Sequence, residues 1–547
     1  MGDRYYVGID VGTGSVRAGI FDARGARVGL GVREILLFRP EEDFVEQSSD
    51  DIWQAAGGAV RDALREARIA PEDVRGVGFD ATCSLVALGP GDEPVTVSPT
   101  GDDRQNVIVW MDHRAVDQAR RINEGRHAVL RYVGGVISPE MQTPKLLWLK
   151  ERLPVAYARA ARFLDLADFM TYRATGVDAR SICTTTCKWT YVEAEAGGWS
   201  EAYFRAVGLG DLADGGFAKI GARVRPLGER AGGLTAQAAA DLGLAPGTAV
   251  AVSIIDAHAG GLGLLGARLA GHQALDEQAL EERVALIGGT STCHMAVSRE
   301  PRFVPGVWGP YGSAMIPDLW LTEGGQSATG ALIDHVIFTH ARGPELAQQA
   351  RAEGTTVYAL LNRRLDALAA AAPFPAALCR DLHVLPDHHG NRSPRADPTL
   401  RGMISGLRLT DSADSLALLY LATIQAIAHG TRHILEAMNA SGHRIRVIFA
   451  TGGDAKNPVF VREHADATGC PVVLAEEPEA VLLGAAILGA VASGDQPSIV
   501  AAMGAMSRAA SVVQPAGGEI AAYHEAKHRV FLRMHQDQMA YRSLMAS

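Results

Sequence analysis

The stretch Tyr6-Val-Gly-Ile-Asp10-Val-Gly12-Thr13-Gly14-Ser15-Val-Arg17 constrains this chain more than any other. An apolar strand brings one acidic residue to a turn of glycines and hydroxyl residues, and a second apolar run, Ala18-Gly-Ile-Phe21, follows at once. A Walker-type phosphate loop would instead lead from a strand into a helix and carry a lysine. Here the turn is the tip of a hairpin. Gly12 and Gly14 carry no Cβ, so they permit φ > 0 and let backbone N–H groups approach a phosphate closely. Asp10 stands beside them, where a carboxylate can hold Mg2+ directly or through water. The same residues read alternatively as an ordinary Gly-rich hairpin with an exposed aspartate, because short glycine patterns are weak evidence alone.

At 547 residues the chain exceeds what one core can serve, and two large domains or more are expected. An apolar content of 47% and a charged content of 21% fit a globular rather than a disordered chain. The formal charge of −10, with no Lys/Arg run, argues against a nucleic-acid partner. Six cysteines in so long a chain give no disulfide framework. The only close pair, Cys183 and Cys187, has no partner pair elsewhere, so no zinc site is expected. A reducing cytosol fits this cysteine usage. The N-terminus runs straight into a strand with no cleavable leader pattern, and the most apolar stretch, Ala480 to Ser493, is too short for a bilayer. The expectation is a cytoplasmic, soluble protein without a membrane partner.

Three extended segments open the chain, Tyr5–Asp10, Val16–Asp22 and Arg27–Ile35, with a turn at Asp22-Ala-Arg-Gly25. A helix from about Asp50 to Ala67 follows, capped by Ser48 or Ser49, with Ile52, Ala55, Ala56, Ala59, Val60, Ala63 and Leu64 on one face. Strand Val74–Phe79 then ends in Asp80-Ala-Thr-Cys-Ser84. A second strand and small-residue turn, Val284–Ile287 and Gly288-Gly-Thr-Ser-Thr292, start a similar series. It continues with a long helix from about Ser415 to Ala440, strand Arg446–Ala450, the turn Thr451-Gly-Gly-Asp-Ala-Lys-Asn457, a helix, strand Val472–Ala475 and a final alanine-rich helix. The pattern predicts a duplicated α/β architecture of 1–265 and 284–547 joined by 266–283, with a cleft between the halves. Segment 341–373 reads as a helical insertion.

Several residues carry candidate chemistry. Asp256 ends the apolar run Val252-Ser-Ile-Ile and precedes Ala-His-Ala-Gly-Gly. As a general base it would accept the proton of an attacking hydroxyl; as a helix cap it would be ordinary, and position alone weighs the two equally. His258 fits a satisfied structural histidine better than a reacting group. Asp112 and Arg114 beside Trp110 suit a polyol, carboxylate to hydroxyls and ring to carbon, although a surface salt bridge is the simpler reading. Glu323-Gly-Gly-Gln326 offers a carboxylate and an amide for hydroxyl groups, or a polar loop. Lys188 reads first as a strand-surface lysine and second as a contact to a substrate oxygen. Gly452 and Gly453 would let adenine and ribose lie on bare backbone, and Gly288–Thr292, including Gly289 and Thr290, would supply phosphate donors.

With these residues in view the chain resembles the FGGY family of carbohydrate kinases along Tyr5 to about Ala492. The resemblance rests on Gly-Ile-Asp-Val-Gly-Thr at 8–13, Thr143-Pro-Lys-Leu-Leu-Trp148-Leu-Lys-Glu151, Asp256, Gly-Gly-Thr at 288–290 and Thr-Gly-Gly-Asp-Ala-Lys-Asn at 451–457. It implies an α/β fold of two actin-like (ribonuclease H-like) ATPase domains flanking a central cleft. It further implies ATP and Mg2+ as cofactors, Asp256 as base and Asp10 serving Mg2+. Gly12, Thr13, Gly14, Ser15, Arg17, Gly289, Thr290, Gly452, Gly453 and Asn457 would lie near ATP. Within the family, Asp80-Ala-Thr-Cys-Ser-Leu-Val86 resembles the signature of D-ribulokinases. That likeness implies that Ala81, Lys188, Asp256 and Glu323, together with Thr82 and Cys83, meet a ketopentose, and that the reaction is phosphorylation of the 5-hydroxyl of D-ribulose. L-Ribulose, xylulose and sedoheptulose are alternative substrates. Ala257 stands where glycerol kinases carry an amide residue, which counts against glycerol. An actin- or chaperone-like ATPase acting on a protein partner, or a silent sugar sensor, are the alternatives outside the class. Family members often form homodimers, but no sequence stripe marks an interface.

Overall fold

The computed structural model describes residues 4–193, 198–268 and 275–546. Among these, the chain builds two seven-stranded sheets on one plan. In the N-terminal half, Tyr5–Val11, Ser15–Asp22 and Arg27–Glu34 form an antiparallel meander, and Val74–Ala81 pairs parallel to the first strand on its other side. Ala249–Ala251 and Ile254–Ile255 extend that edge in parallel, and Arg230–Gly233 closes it antiparallel. In the C-terminal half, Arg283–Gly288, Thr292–Ser298 and Trp320–Gln326 repeat the meander, and Val447–Gly452 and Val472–Ala475 repeat the parallel strands. The duplication expected from pattern is therefore present as topology. Of the expected connection 266–283, residues 269–274 lie outside the described residues, and Glu277–Glu281 is a short helix.

Local chemistry starts and stops the helices. Ser48 caps the helix Ser49–Ala67, its Oγ accepting the Asp51 N–H at 3.4 Å. Ile52, Ala56, Ala59, Val60, Ala63 and Leu64 are buried against the first sheet, the apolar face that the spacing predicts. Arg68 then leaves the helix in the left-handed region at φ 56°. The corresponding helix of the second half, Ala413–Ala440, is capped by Ser412.

Two helices join the halves. Asp256–Leu265 and Ala480–Ala492 each follow the last parallel strand of their own half and pack on each other. Each also reaches the other half's sheet: Asp256–Leu265 lies on Arg283–Gly288, and Ala480–Ala492 lies on Tyr5–Val11 and Val74–Ala81. Such close approach requires glycine. A Cβ on Gly484 would stand 1.8 Å from the Ala259 carbonyl oxygen, and one on Gly78 would stand 1.9 Å from that of Ala485. Burial on all sides explains why Ala480–Ala492 is apolar all round rather than on one stripe. It is not the final helix that the sequence suggests: Ile499–Met506 and the long Gly518–Ala546 follow it. Segment 341–373 holds the helices Gly343–Ala352 and Val357–Ala369. All six cysteines are unpaired thiols. Among the described residues no helix is long and apolar enough to cross a membrane.

Candidate active site

Three carboxylates meet at the carboxyl ends of three adjacent parallel strands, where open α/β sheets receive ligands. Register fixes this: Asp10 lies opposite Asp80, and Ile255 lies opposite Ala81, so Asp256 emerges beside both. Asp80, which sequence reasoning left out of the site, is wholly buried, and no donor reaches either of its oxygens. Burial, and next the neighbouring Asp10 carboxylate, hold its carboxyl well above the usual range. Arg17 donates through Nε to Asp10 Oδ2 at 2.9 Å and through its other arm to Glu479 Oε2 at 2.6 Å, tying the N-terminal hairpin to the start of the Ala480–Ala492 helix. Asp256 is the first residue of its helix, and Ile255 holds the N-cap position. Its Oδ1 accepts only the adjacent Ala257 N–H, at 2.6 Å, among the hydrogen bonds of the described residues. Burial and the charge of Asp10 raise its carboxyl to about 7.

A second group of residues faces these from both halves. Ala81, Thr82 and Cys83 end the strand Val74–Ala81 and continue it; the Thr82 N–H donates to the Val11 carbonyl at 3.0 Å, and burial pushes the Cys83 thiol up to about 12. Lys188 is the last, buried residue of the helix Ile182–Lys188, not the strand-surface lysine expected, and its Nζ stands 4.8 Å from the centre of the Trp308 ring. Glu323 belongs to the buried strand Trp320–Gln326 rather than to a polar loop. Burial alone would raise its carboxyl; the His258 hydrogen bond at 3.3 Å and the charges of Lys188, His258 and Arg392 overcome that and hold it at about 2. Trp308, Arg392 and Glu140 were not foreseen. Arg392 lies 5.3 Å from the Trp308 ring centre, and its charge faces Glu140 and Glu323. No local pattern in 391–394 announces this, because its partners are far away in sequence.

Some expected residues are engaged elsewhere. Asp112 is wholly buried: its carboxylate accepts from Arg114 at 2.7 Å and from the Val45 N–H at 2.7 Å, and Arg114 also binds Glu46. With both oxygens taken by an internal ion pair, it has none to offer a sugar, which corrects the polyol expectation. The Gln326 amide donates to the Ile427 carbonyl and to Thr431, so it too serves the core. The Asn457 side chain caps the helix Pro458–Thr468, accepting the Val459 N–H at 3.1 Å, and donates to Tyr420 at 2.7 Å.

The two hairpin turns match. The Gly12 N–H donates to the Ser15 carbonyl at 3.0 Å, and the Gly289 N–H donates to that of Ser291 at 2.9 Å. Thr13 accepts the Trp110 indole N–H at 3.0 Å, Ser15 begins the second strand, and Gly14, Gly289 and Thr290 are exposed. Neither Gly12 nor Gly14 uses the left-handed region, so their freedom of φ is not what the turn exploits. Gly452 does use it, at φ 94°, and the Gly453 N–H donates to the Gly288 carbonyl at 3.0 Å. Carboxylates thus stand at the strand ends of the N-terminal half and glycines at those of the C-terminal half.

Known proteins carry the same plan. The FGGY family of carbohydrate kinases matches twice, its N-terminal domain over residues 5–263 and its C-terminal domain over residues 284–493. A human FGGY carbohydrate kinase domain-containing protein is 52% identical, with 99% of this chain and 98% of that protein covered. A D-ribulokinase of Saccharomyces cerevisiae is 39% identical over 90% of this chain and 72% of its own. The crystal structure of a xylulose kinase from Rhodospirillum rubrum superposes with a TM-score of 0.77 at 22% identity, covering 98% of this chain and 99% of that one, and shares the fold. The chain belongs to the FGGY family of carbohydrate kinases.

Proposed function

We propose that this kinase transfers the γ-phosphoryl group of ATP to the 5-hydroxyl of a ketopentose, D-ribulose in particular, and that it does so in the cytoplasm. The observation that carries the reading is the place of Asp256. It sits at a strand end beside Asp10 and near Lys188 and His258, its carboxylate accepting only the adjacent Ala257 N–H among the hydrogen bonds of the described residues. The yeast relative named a D-ribulokinase supports the choice of sugar.

In this reading Glu323, Lys188 and the Ala81–Cys83 segment hold the sugar, and Asp256 accepts the proton of its 5-hydroxyl. The freed oxygen attacks the γ-phosphorus in line, the bond to the β-phosphate oxygen breaks, and ADP leaves. The hairpin turns at Gly12–Ser15 and Gly289–Thr290 present N–H and hydroxyl donors to the phosphates, with Arg17, Gly452 and Gly453 near the nucleotide. Mg2+ fits the donor set. Asp10 offers a hard oxygen, because Arg17 engages only Oδ2 of its carboxylate. When bound, the ion neutralises charge on the transferred group. Contacts that cross between the halves, Arg17 to Glu479 and His258 to Glu323, give closure something to grip, and closure excludes water from the reaction.

The test offers purified protein and Mg-ATP a panel of D-ribulose, L-ribulose, xylulose, sedoheptulose and glycerol, and follows ADP release. Turnover stimulated most by D-ribulose is the expected result. The Asp256→Asn variant should lose about 10^3-fold in kcat while ATP binding, read by calorimetry, persists. An active Asp256→Asn protein would remove this residue from the mechanism.

A further inference from the structure

We propose that His258 is a positioning residue of the sugar site: clamped between Cys183 and Glu323, it fixes the direction in which the Glu323 carboxylate meets the sugar hydroxyls. This rests on the reading of Glu323 as a sugar ligand. His258 is fully buried two residues beyond Asp256. Its Nδ1 stands 3.0 Å from Cys183 Sγ, and its Nε2 stands 3.3 Å from Glu323 Oε2. These partners are 75 and 65 residues away in the chain. One imidazole therefore ties together three elements of the site: the helix that begins with Asp256, the helix that ends with Lys188, and the C-terminal strand that carries Glu323.

The direction of the clamp follows from donor and acceptor capacity. An ionised Glu323 can only accept, so Nε2 must carry the proton that faces it. Nδ1 then either accepts from a Cys183 thiol or donates to a Cys183 thiolate, and the ring stands the same way in both cases. Next to His258 and Cys187, the Cys183 thiol is held below its ordinary range despite its burial, and His258 is held above its own, which agrees with a strong contact between them. Cys187 completes a group of three potential metal ligands whose donor atoms lie within 4.8 Å of one another. However, 3.0 Å is a hydrogen-bond separation, whereas a sulfur and a nitrogen bound to one tetrahedral zinc stand roughly 3.5 Å apart. The 3.0 Å separation fits a hydrogen bond between Cys183 and His258.

The experiment compares His258→Asn, whose short amide cannot reach Glu323, with His258→Gln, whose amide nitrogen falls near the place of Nε2. Steady-state kinetics are measured separately in ketose and ATP. Loss of a hydrogen bond to a charged group predicts a sugar KM about 10- to 100-fold higher for His258→Asn, with kcat and the ATP KM within about threefold of the parent. His258→Gln should fall between the two. Cys183→Ala, which removes the other end of the clamp, should raise the sugar KM in the same sense and provides the comparison if His258→Asn does not fold. Equal sugar KM values across the three variants and the parent would overturn the proposal. So would sugar and ATP KM rising together, or zinc near one equivalent per chain in the parent by elemental analysis. A parent that turns over no sugar at all would instead overturn the proposed function, and this inference with it.

Discussion

The two halves of this kinase share an antiparallel meander, flanking parallel strands and a crossing helix, yet carry different chemistry at the ends of the parallel strands. In the N-terminal half, Asp10 lies opposite Asp80 where the first strand meets its parallel neighbour, and Asp256 opens the helix after the last strand. At the matching places of the C-terminal half, Ile287 lies opposite Thr451, Gly288 lies opposite Gly452, and Ala480 opens the helix. One half concentrates charge that can take a proton and attract a cation. The other offers bare backbone and hydroxyls that can lie close to a nucleotide. The difference teaches that the backbone plan supplies positions only. Which side chains stand at the strand ends decides what chemistry each half can offer.

Three experiments can break or sharpen this contrast. The largest effect is expected in the C-terminal turn. Gly452 has φ 94°, and a Cβ there would lie 1.9 Å from the Gly288 carbonyl oxygen. Gly452→Ala should destabilise the protein by about 3 kcal/mol or more and lower the unfolding midpoint by about 5 °C, as calorimetry would read. An unchanged midpoint would mean that this turn is not built as described.

A smaller effect concerns the acidic half. As the proposed base, Asp256 would act only when ionised, and burial with Asp10 raises it to about 7. Ionisation is lost as pH falls, so kcat/KM should drop about tenfold per pH unit below that value and level off above it. A flat profile between pH 5 and 8 would argue against a carboxylate base of this kind.

The smallest effect on stability belongs to the N-terminal turn. Gly14 lies outside the left-handed region, and nothing stands within 4 Å of a Cβ added there. Gly14→Ala should leave the unfolding midpoint within about 2 °C, while crowding the phosphates and raising the ATP KM about fivefold. A collapse of stability in this variant would make the two turns equivalent after all.

Much of the scaffold was legible because it is local. Apolar runs and turns gave the first meander and its hairpin, a serine at position 48 gave a helix start, and the strand Val284–Ile287 with its turn pointed to a repeat whose other meander strands were not legible. Asp256 stood out at the end of an apolar run. Other readings failed where the competing force was tertiary. Asp112 looked available beside Trp110, but Arg114, Glu46 and the Val45 N–H enclose it. Lys188 ends a helix that no strand pattern predicts, and Glu323 is buried in a sheet rather than held on a loop. Asp80 was visible as the end of a strand, but its isolation from every donor appears only once Asp10 lies across from it.

By itself, the sequence determined where strands, turns and caps fall, and which segments carry acid, glycine or hydroxyl at their ends. These follow from backbone sterics and from side chains that interact over a few residues. Only the tertiary structure decided that the helices Asp256–Leu265 and Ala480–Ala492 each cross to the other half's sheet, that Arg392 and Trp308 join Lys188 and Glu323, and that His258 links Cys183 to Glu323. Such partners are set by burial and close packing between distant segments, where one residue's environment depends on the whole fold.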